Sequence, residues 1–147
     1  MHSKQETLIF KSIVISMLLI SLVACGKKEV KEVSEESKIA QEAFQLAETI
    51  KQAYLENNRE ALESNATQDG YTELIGAIKS FDSAELEFVP TWVEIDDTVV
   101  KLTVSWKGTW NVSDFTKDDR GIAVFVMEGQ PLKLVSILRA NPFRQPE

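Results

Sequence analysis

The sequence predicts an α+β domain in which N-terminal helices pack on a curved, mostly antiparallel sheet of four to five strands, closed like a cone. Two observations predict it, and a packing argument joins them. Apolar residues recur at helical spacing over residues 37–57. From Ala84 onward the repeat changes to period two, interrupted by short turn signals. Each half therefore carries one apolar face, and both are buried most simply when the sheet curls around the long helix.

The first helix is expected over Ser37–Asn57. Ile39, Ala43, Leu46, Ile50 and Tyr54 form its apolar stripe, widened by Ala40, Phe44, Ala47 and Ala53. Gln41, Glu42, Gln45, Glu48, Lys51 and Gln52 make the opposite face wet. Ser34 with Glu35 and Glu36 supplies a start signal, because carboxylates are favoured at the positive end of a helix. Asn57-Asn58 breaks the helix, a short second one follows over Arg59–Ser64, and a third is expected over Thr72–Phe81 after Asp69-Gly70.

In the second half, Leu86 and Phe88 lead to Pro90, which ends a strand or sits at a sheet edge. Trp92–Ile95, the turn pair Asp96-Asp97, and Val100, Leu102, Val104 and Trp106 in alternation read as a hairpin with one buried face. Trp110 and Val112 continue that strand beyond Gly108. Asp114–Gly121 reads as a polar connection, Ile122–Met127 as a strand, Glu128–Pro131 as a turn and Leu132–Leu138 as the last strand. Asn141-Pro142 ends it and leaves a frayed tail.

This order resembles the cystatin-like and nuclear-transport-factor-2-like cones over residues 37–143. The residues that carry the resemblance are the end of the long helix, Tyr54-Leu55-Glu56-Asn57-Asn58-Arg59-Glu60-Ala61-Leu62, and the hairpin segment Trp106-Lys107-Gly108-Thr109-Trp110. The resemblance implies a fold and not an activity, since such cones host enzymes, binding modules and assembly domains alike.

Ahead of the domain the chain has a different character. Ile13–Val23 reads IVISMLLISLV, with Lys4 and Lys11 before it. A basic start followed by about a dozen apolar residues is the pattern of an export signal, and it is shorter than the roughly 20 residues that span a bilayer. Leu22-Val23-Ala24-Cys25-Gly26 follows. It resembles the lipobox of bacterial lipoproteins, which implies that residues 1–24 are removed and that Cys25 carries lipid at the new N-terminus. The chemistry needs a thiol there, since a thiolate is the nucleophile that takes the lipid. Cys25 is the only cysteine, so no intramolecular disulfide forms. Residues 25–36 then form the lipidated cysteine and a charged tether, and residues 37–147 a single domain. The resemblance places the protein in the cell envelope. It would sit on the outer membrane facing the periplasm in a Gram-negative cell, because Gly26 replaces the Asp that retains lipoproteins at the inner membrane. In a Gram-positive cell it would sit on the extracellular face of the cell membrane.

Charge and residue usage exclude several chemistries. Loss of residues 1–24 removes Lys4, Lys11 and Glu6, leaving 14 basic and 22 acidic residues and a net charge of −8. Such a surface repels phosphate backbones, so no nucleic-acid partner is expected. His2, within the signal, is the only histidine. Ser-His-Asp and Cys-His catalysis and His-containing zinc sites are therefore excluded. The His–Asp pair used by enzymes of the cone superfamily has no position to occupy. Carboxylate general bases would have to come from Glu85, Glu87, Glu94 or Asp114, and alternation puts Glu85 and Glu87 on the wet face. Asp114, Asp118 and Asp119 lack the ligand ladder of a calcium loop. No metal and no cofactor is expected.

The binding candidates are aromatic: Trp92, Trp110, Tyr54 and Tyr71, which offer large contact area with a polar tip and could line a pocket between helix and sheet. Trp106 alternates with Leu102 and Val104 and is assigned to the core. The expected function is a membrane-anchored, non-enzymatic interaction or ligand-binding module, its partner an envelope protein, a small ligand or a second copy forming a homodimer. The alternatives are a small enzyme using a pocket carboxylate and a structural subunit that dimerises through the outer sheet face.

Overall fold

The structure is a computed structural model and describes residues 34–146. The expected export signal, Cys25 and the expected tether up to Val33 lie outside the described residues. Helix α1 spans Glu35–Leu55, α2 Arg59–Ser64 and α3 Gln68–Ala77. Four strands follow: β1 Ser83–Asp96, β2 Val99–Val112, β3 Phe115–Glu128 and β4 Lys133–Arg139. They form one antiparallel sheet in the order β1-β2-β3-β4.

Each helix starts where a side chain can replace a missing backbone partner. The Ser34 hydroxyl accepts from Ser37 N–H at 3.2 Å, so α1 begins two residues before the expected Ser37. Asn58 Oδ1 accepts from Ala61 N–H at 3.0 Å and Thr67 Oγ1 from Gly70 N–H at 3.2 Å. The Thr67 cap starts α3 four residues earlier than Thr72, and Ile78 is already extended at φ −75°, ψ 127°, so the helix stops short of Phe81. The Asp69-Gly70 pair is no break. It forms the first turn of α3, where Gly70 sits against the Leu134 carbonyl and a Cβ would collide with backbone. That close approach joins α3 to β4. Thr67 N–H donates to Leu134 O at 2.8 Å and Leu134 N–H to Asn65 O at 3.0 Å.

In the sheet, β1 runs unbroken through Pro90, with a register irregularity between Pro90 and Trp92. Proline is tolerated because β1 is an edge strand, where a missing N–H costs no ladder bond. The segment Asp114–Gly121, expected as a polar connection, is instead strand. β2 and β3 pair from Val99↔Glu128 to Val112↔Phe115 around the two-residue turn Ser113-Asp114. Ser113, at φ 55°, adopts the left-handed backbone that such turns require. Here pairing with β2 decides the structure, and the polar composition of β3 reports only that this stretch is exposed to solvent.

The sheet curls about α1. Ala43, Leu46, Ala47, Ile50, Ala53 and Tyr54 turn inward from the helix. Leu86 and Phe88, then Leu102, Val104, Trp106 and Trp110, then Ala123, Phe125 and Met127 face them from the sheet. The expected frayed tail is a correction: Pro142, Phe143 and Gln145 are buried. The tail is held by Phe143 among the core rings and by the Gln145 side-chain amide, which donates to the Lys79 carbonyl.

Candidate functional site

The interior at the C-terminal end of α1 is built from rings. Tyr54 lies 5.1 Å from both Phe81 and Phe143 between ring centroids, and Phe143 in turn lies 6.2 Å from Phe88 and 6.3 Å from Phe125. Trp110 meets Trp106 edge-on at 6.4 Å, a favoured geometry for two rings. The polar atoms of this layer satisfy one another. Trp110 Nε1–H donates to the Tyr54 hydroxyl at 2.7 Å, and Trp106 Nε1–H to the Ala140 carbonyl at 2.9 Å. Gln145 Nε2 donates to the carbonyls of Lys79 and Ser80 at 2.8 and 3.3 Å, and its side chain also reaches the Tyr54 hydroxyl. Burial pushes the Tyr54 pKa above its ordinary value of 10.0, against the opposing pull of the hydrogen bonds with Trp110 and Gln145.

Gly108 makes this packing feasible. A Cβ there would stand 2.5 Å from both Leu86 Cδ2 and the edge of the Trp110 ring, so both side chains use space that only a bare backbone leaves.

Of the four aromatic candidates, the structure therefore brings together two. Tyr54 and Trp110 touch, but they fill the space between helix and sheet and do not line a pocket there. Tyr71 is half-buried on α3 against the core. Trp92 is on the opposite face of the sheet, 68% exposed, in register with Thr103. Trp106 is core, as its alternation predicts.

That opposite, outer face is the other candidate surface. Along it, cross-strand neighbours form rows: Glu87–Lys107–Arg120, then Val89–Ser105–Ile122, then Trp92–Thr103–Val124–Leu138. Val89, Trp92, Ile122 and Leu138 are large apolar side chains left exposed. The Lys107 ammonium pairs with Glu87 at 2.6 Å and Lys101 with Glu94 at 2.9 Å. The Glu94 carboxylate holds the Lys101 ammonium above its ordinary pKa. Thr109 Oγ1 donates to Asp118 at 2.6 Å, so Asp118 and Asp119 belong to a strand and not to a metal-binding loop. A shallow trough of about 930 Å³ runs over Glu85, Lys107, Thr109 and Arg120. It continues past the Val89–Ile122 row as a second hollow of about 490 Å³.

The carboxylates considered as bases are all at the surface. Glu85, Glu87 and Glu94 stand on the outer face, and Asp114 is in the β2–β3 turn. Among the described residues no cluster of three metal-ligating side chains occurs, and no helix is long and apolar enough to cross a membrane.

Several residues that shape these surfaces gave no sequence signal. Phe143 and Gln145 follow an Asn-Pro stop, where composition predicts fraying. Arg120 sits in a stretch that reads as loop. For Gly108 the only hint was its place between two tryptophans in a period-two run.

Comparison with known proteins fits this geometry. No family model matches the chain, and neither does any curated protein. Among solved structures, it is similar to a nuclear transport factor 2 (NTF2-like) superfamily protein from Salmonella enterica subsp. enterica serovar Typhimurium str. LT2. The TM-score is 0.58 at 12% sequence identity, over 73% of this chain and 93% of that one. The domain is an α+β cone. Its fold is NTF2-like.

Proposed function

We propose that the protein is a lipid-anchored envelope lipoprotein whose domain is a non-enzymatic interaction module working through the outer face of its sheet. The observation that carries this reading is the contrast between the two faces. The inner face is packed shut around the Tyr54–Trp110 pair, whereas the outer face leaves Trp92, Val89, Ile122 and Leu138 exposed beside a charged row. Apolar residues rimmed by charges are the common composition of protein-binding patches. The anchoring half rests on the basic, apolar leader and the Leu-Val-Ala-Cys-Gly run at residues 22–26. Two or more acyl chains make such anchoring stable, each buried CH₂ contributing about 0.8 kcal/mol.

Two experiments address the two halves. Cys25→Ser should leave an uncleaved or unlipidated chain, and normal mature size with full membrane retention in that variant would refute anchoring through Cys25. A photo-crosslinking residue at position 92 should give defined adducts in whole cells, and one at Gln52, on the wet face of α1, should not. Equal crosslinking from both positions would refute the outer-face reading.

The exposed apolar rows also favour a second reading, in which the partner on this face is another copy of the chain. Sedimentation at high concentration distinguishes them. A concentration-dependent dimer lost in Val89→Glu supports self-association, and a monomer at all concentrations leaves the face to a different partner. The alternative of a small enzyme using a pocket carboxylate has less support, because Glu85, Glu87, Glu94 and Asp114 all face solvent.

A further inference from the structure

A crevice of about 340 Å³ opens at the end of the domain opposite the Tyr54–Trp110 layer. It lies between the first turns of α1, the β1–β2 turn and the β3–β4 turn. Four apolar side chains wall it: Ile39 from α1, Ile95 and Val100 on either side of the β1–β2 turn, and Leu132 at the end of the β3–β4 turn. Val100 and Leu132 are buried, and Ile39 and Ile95 are half-buried. These walls belong to the hydrophobic core or pack against it, so a ligand's apolar part would extend the core and not merely rest on the surface.

The charged groups in its lining all have one sign. Glu42 and Asp97 line the crevice, and among the described residues no lysine or arginine does. Glu42 is fixed against the wall by a bond that also ties down the β3–β4 turn, its Oε1 accepting from Leu132 N–H at 2.9 Å. The other carboxylate oxygen has no protein partner among the described residues. Asp97 projects from the two-residue β1–β2 turn at φ 48°, and its carboxylate likewise has none. This differs from the outer face, where Glu87 and Glu94 each hold a lysine.

From this juxtaposition we infer that the crevice is a binding site for a small amphiphilic amine, its ammonium between Glu42 and Asp97 and its apolar chain against Ile39, Ile95, Val100 and Leu132. An ammonium offers three donors to two carboxylates that, apart from the Leu132 N–H on Glu42, hold no protein donor among the described residues, and charge-assisted bonds of that kind are the stronger class. An alcohol of the same length gains the walls but not the charge. A carboxylate of the same length is repelled by both acids. The volume is at the lower end for ligand pockets, which limits the ligand to fragment size. The inference is independent of the outer-face reading, because it uses neither that face nor a protein partner.

The test uses the intact chain purified in a non-ionic detergent, titrated in turn with hexylammonium, hexanol and hexanoate and followed by amide chemical shifts. Hexylammonium should shift the amides of Ile39, Thr98 and Leu132 saturably and bind about tenfold or more tightly than hexanol, the factor expected for a hydrogen bond to a charged group. Hexanoate should leave those amides unmoved. Glu42→Gln with Asp97→Asn should reduce hexylammonium to the affinity of hexanol, while the amide introduced at position 42 still offers an oxygen to Leu132 N–H and keeps the crevice shaped. Ile39→Trp, which fills the crevice, should abolish the shifts from all three probes while spectral dispersion shows the fold intact. Equal affinity for the three probes, unchanged hexylammonium binding in the double variant, or no saturable shift at these amides would overturn the inference.

Discussion

At its C-terminal end, helix α1 presents Tyr54 to a layer of aromatic rings in which every polar atom has a protein partner. At its N-terminal end, about 20 Å away along the axis at 1.5 Å per residue, the same helix presents Ile39 to a crevice edged by two acids. The difference lies in what the chain supplies to each end. The first receives Phe81 from the α3–β1 connection and Phe143 from the tail, in addition to the sheet. The second receives only two short turns, Asp97-Thr98 and 129–132, in which Leu132 is the one large apolar side chain. A cone closed at one end by its own tail, and left partly open at the other, therefore follows from where the large side chains fall in the sequence.

Phe143→Ala should destabilise the domain by about 3–4 kcal/mol in urea unfolding, since it leaves a cavity among rings that cannot collapse. Ile39→Ala at the open end should cost about 1 kcal/mol, because that side chain is already half-exposed. Comparable losses at the two positions would remove the distinction between a packed end and an open one. Gly108→Ala should cost about 2 kcal/mol, because its methyl must displace both Leu86 and the Trp110 ring.

Tyr54→Phe removes one of the groups through which the closed end satisfies its polar atoms. It leaves Trp110 Nε1–H without its partner and should cost about 1–2 kcal/mol. It should also change the alkaline limb of stability. Because the folded protein holds the Tyr54 pKa above 10.0, the wild-type contribution is intact below pH 10 and is lost as pH rises through the folded value. In Tyr54→Phe that part of the alkaline decline should vanish from a melting-temperature series. Trp92→Ser should change stability least, by less than about 0.5 kcal/mol, because the ring touches solvent over most of its surface.

The sequence carried the fold well where one residue pattern answers to one neighbour. The stripe from Ile39 to Tyr54 and the alternation from Val100 to Trp106 each report a single buried face, and both are present as read. It carried less where a long-range partner decides. Asp114–Gly121 has the composition of a loop and becomes strand because β2 supplies its ladder from Val112 back to Trp106. Phe143 has the setting of a free tail and becomes core because Tyr54, Phe88 and Phe125 leave a ring-sized space. The aromatic candidates were separated for the same reason. Period two assigns Trp106 inward, but the irregularity after Pro90, which turns Trp92 to the outer face, depends on strand pairing that no local pattern records. The crevice was illegible, since Ile39, Ile95, Val100 and Leu132 converge only through the turns between four elements.

The interior at the Tyr54–Trp110 end of the cone is closed, and recognition takes place elsewhere on the domain. Hydrogen exchange of the three tryptophan indole N–H groups, followed by NMR, tests it most directly. Trp110 and Trp106, bonded to Tyr54 and to the Ala140 carbonyl, should exchange many-fold more slowly than the exposed Trp92. An indole of Trp110 that exchanges as fast as that of Trp92 would mean that the interior opens to solvent, and would contradict the account.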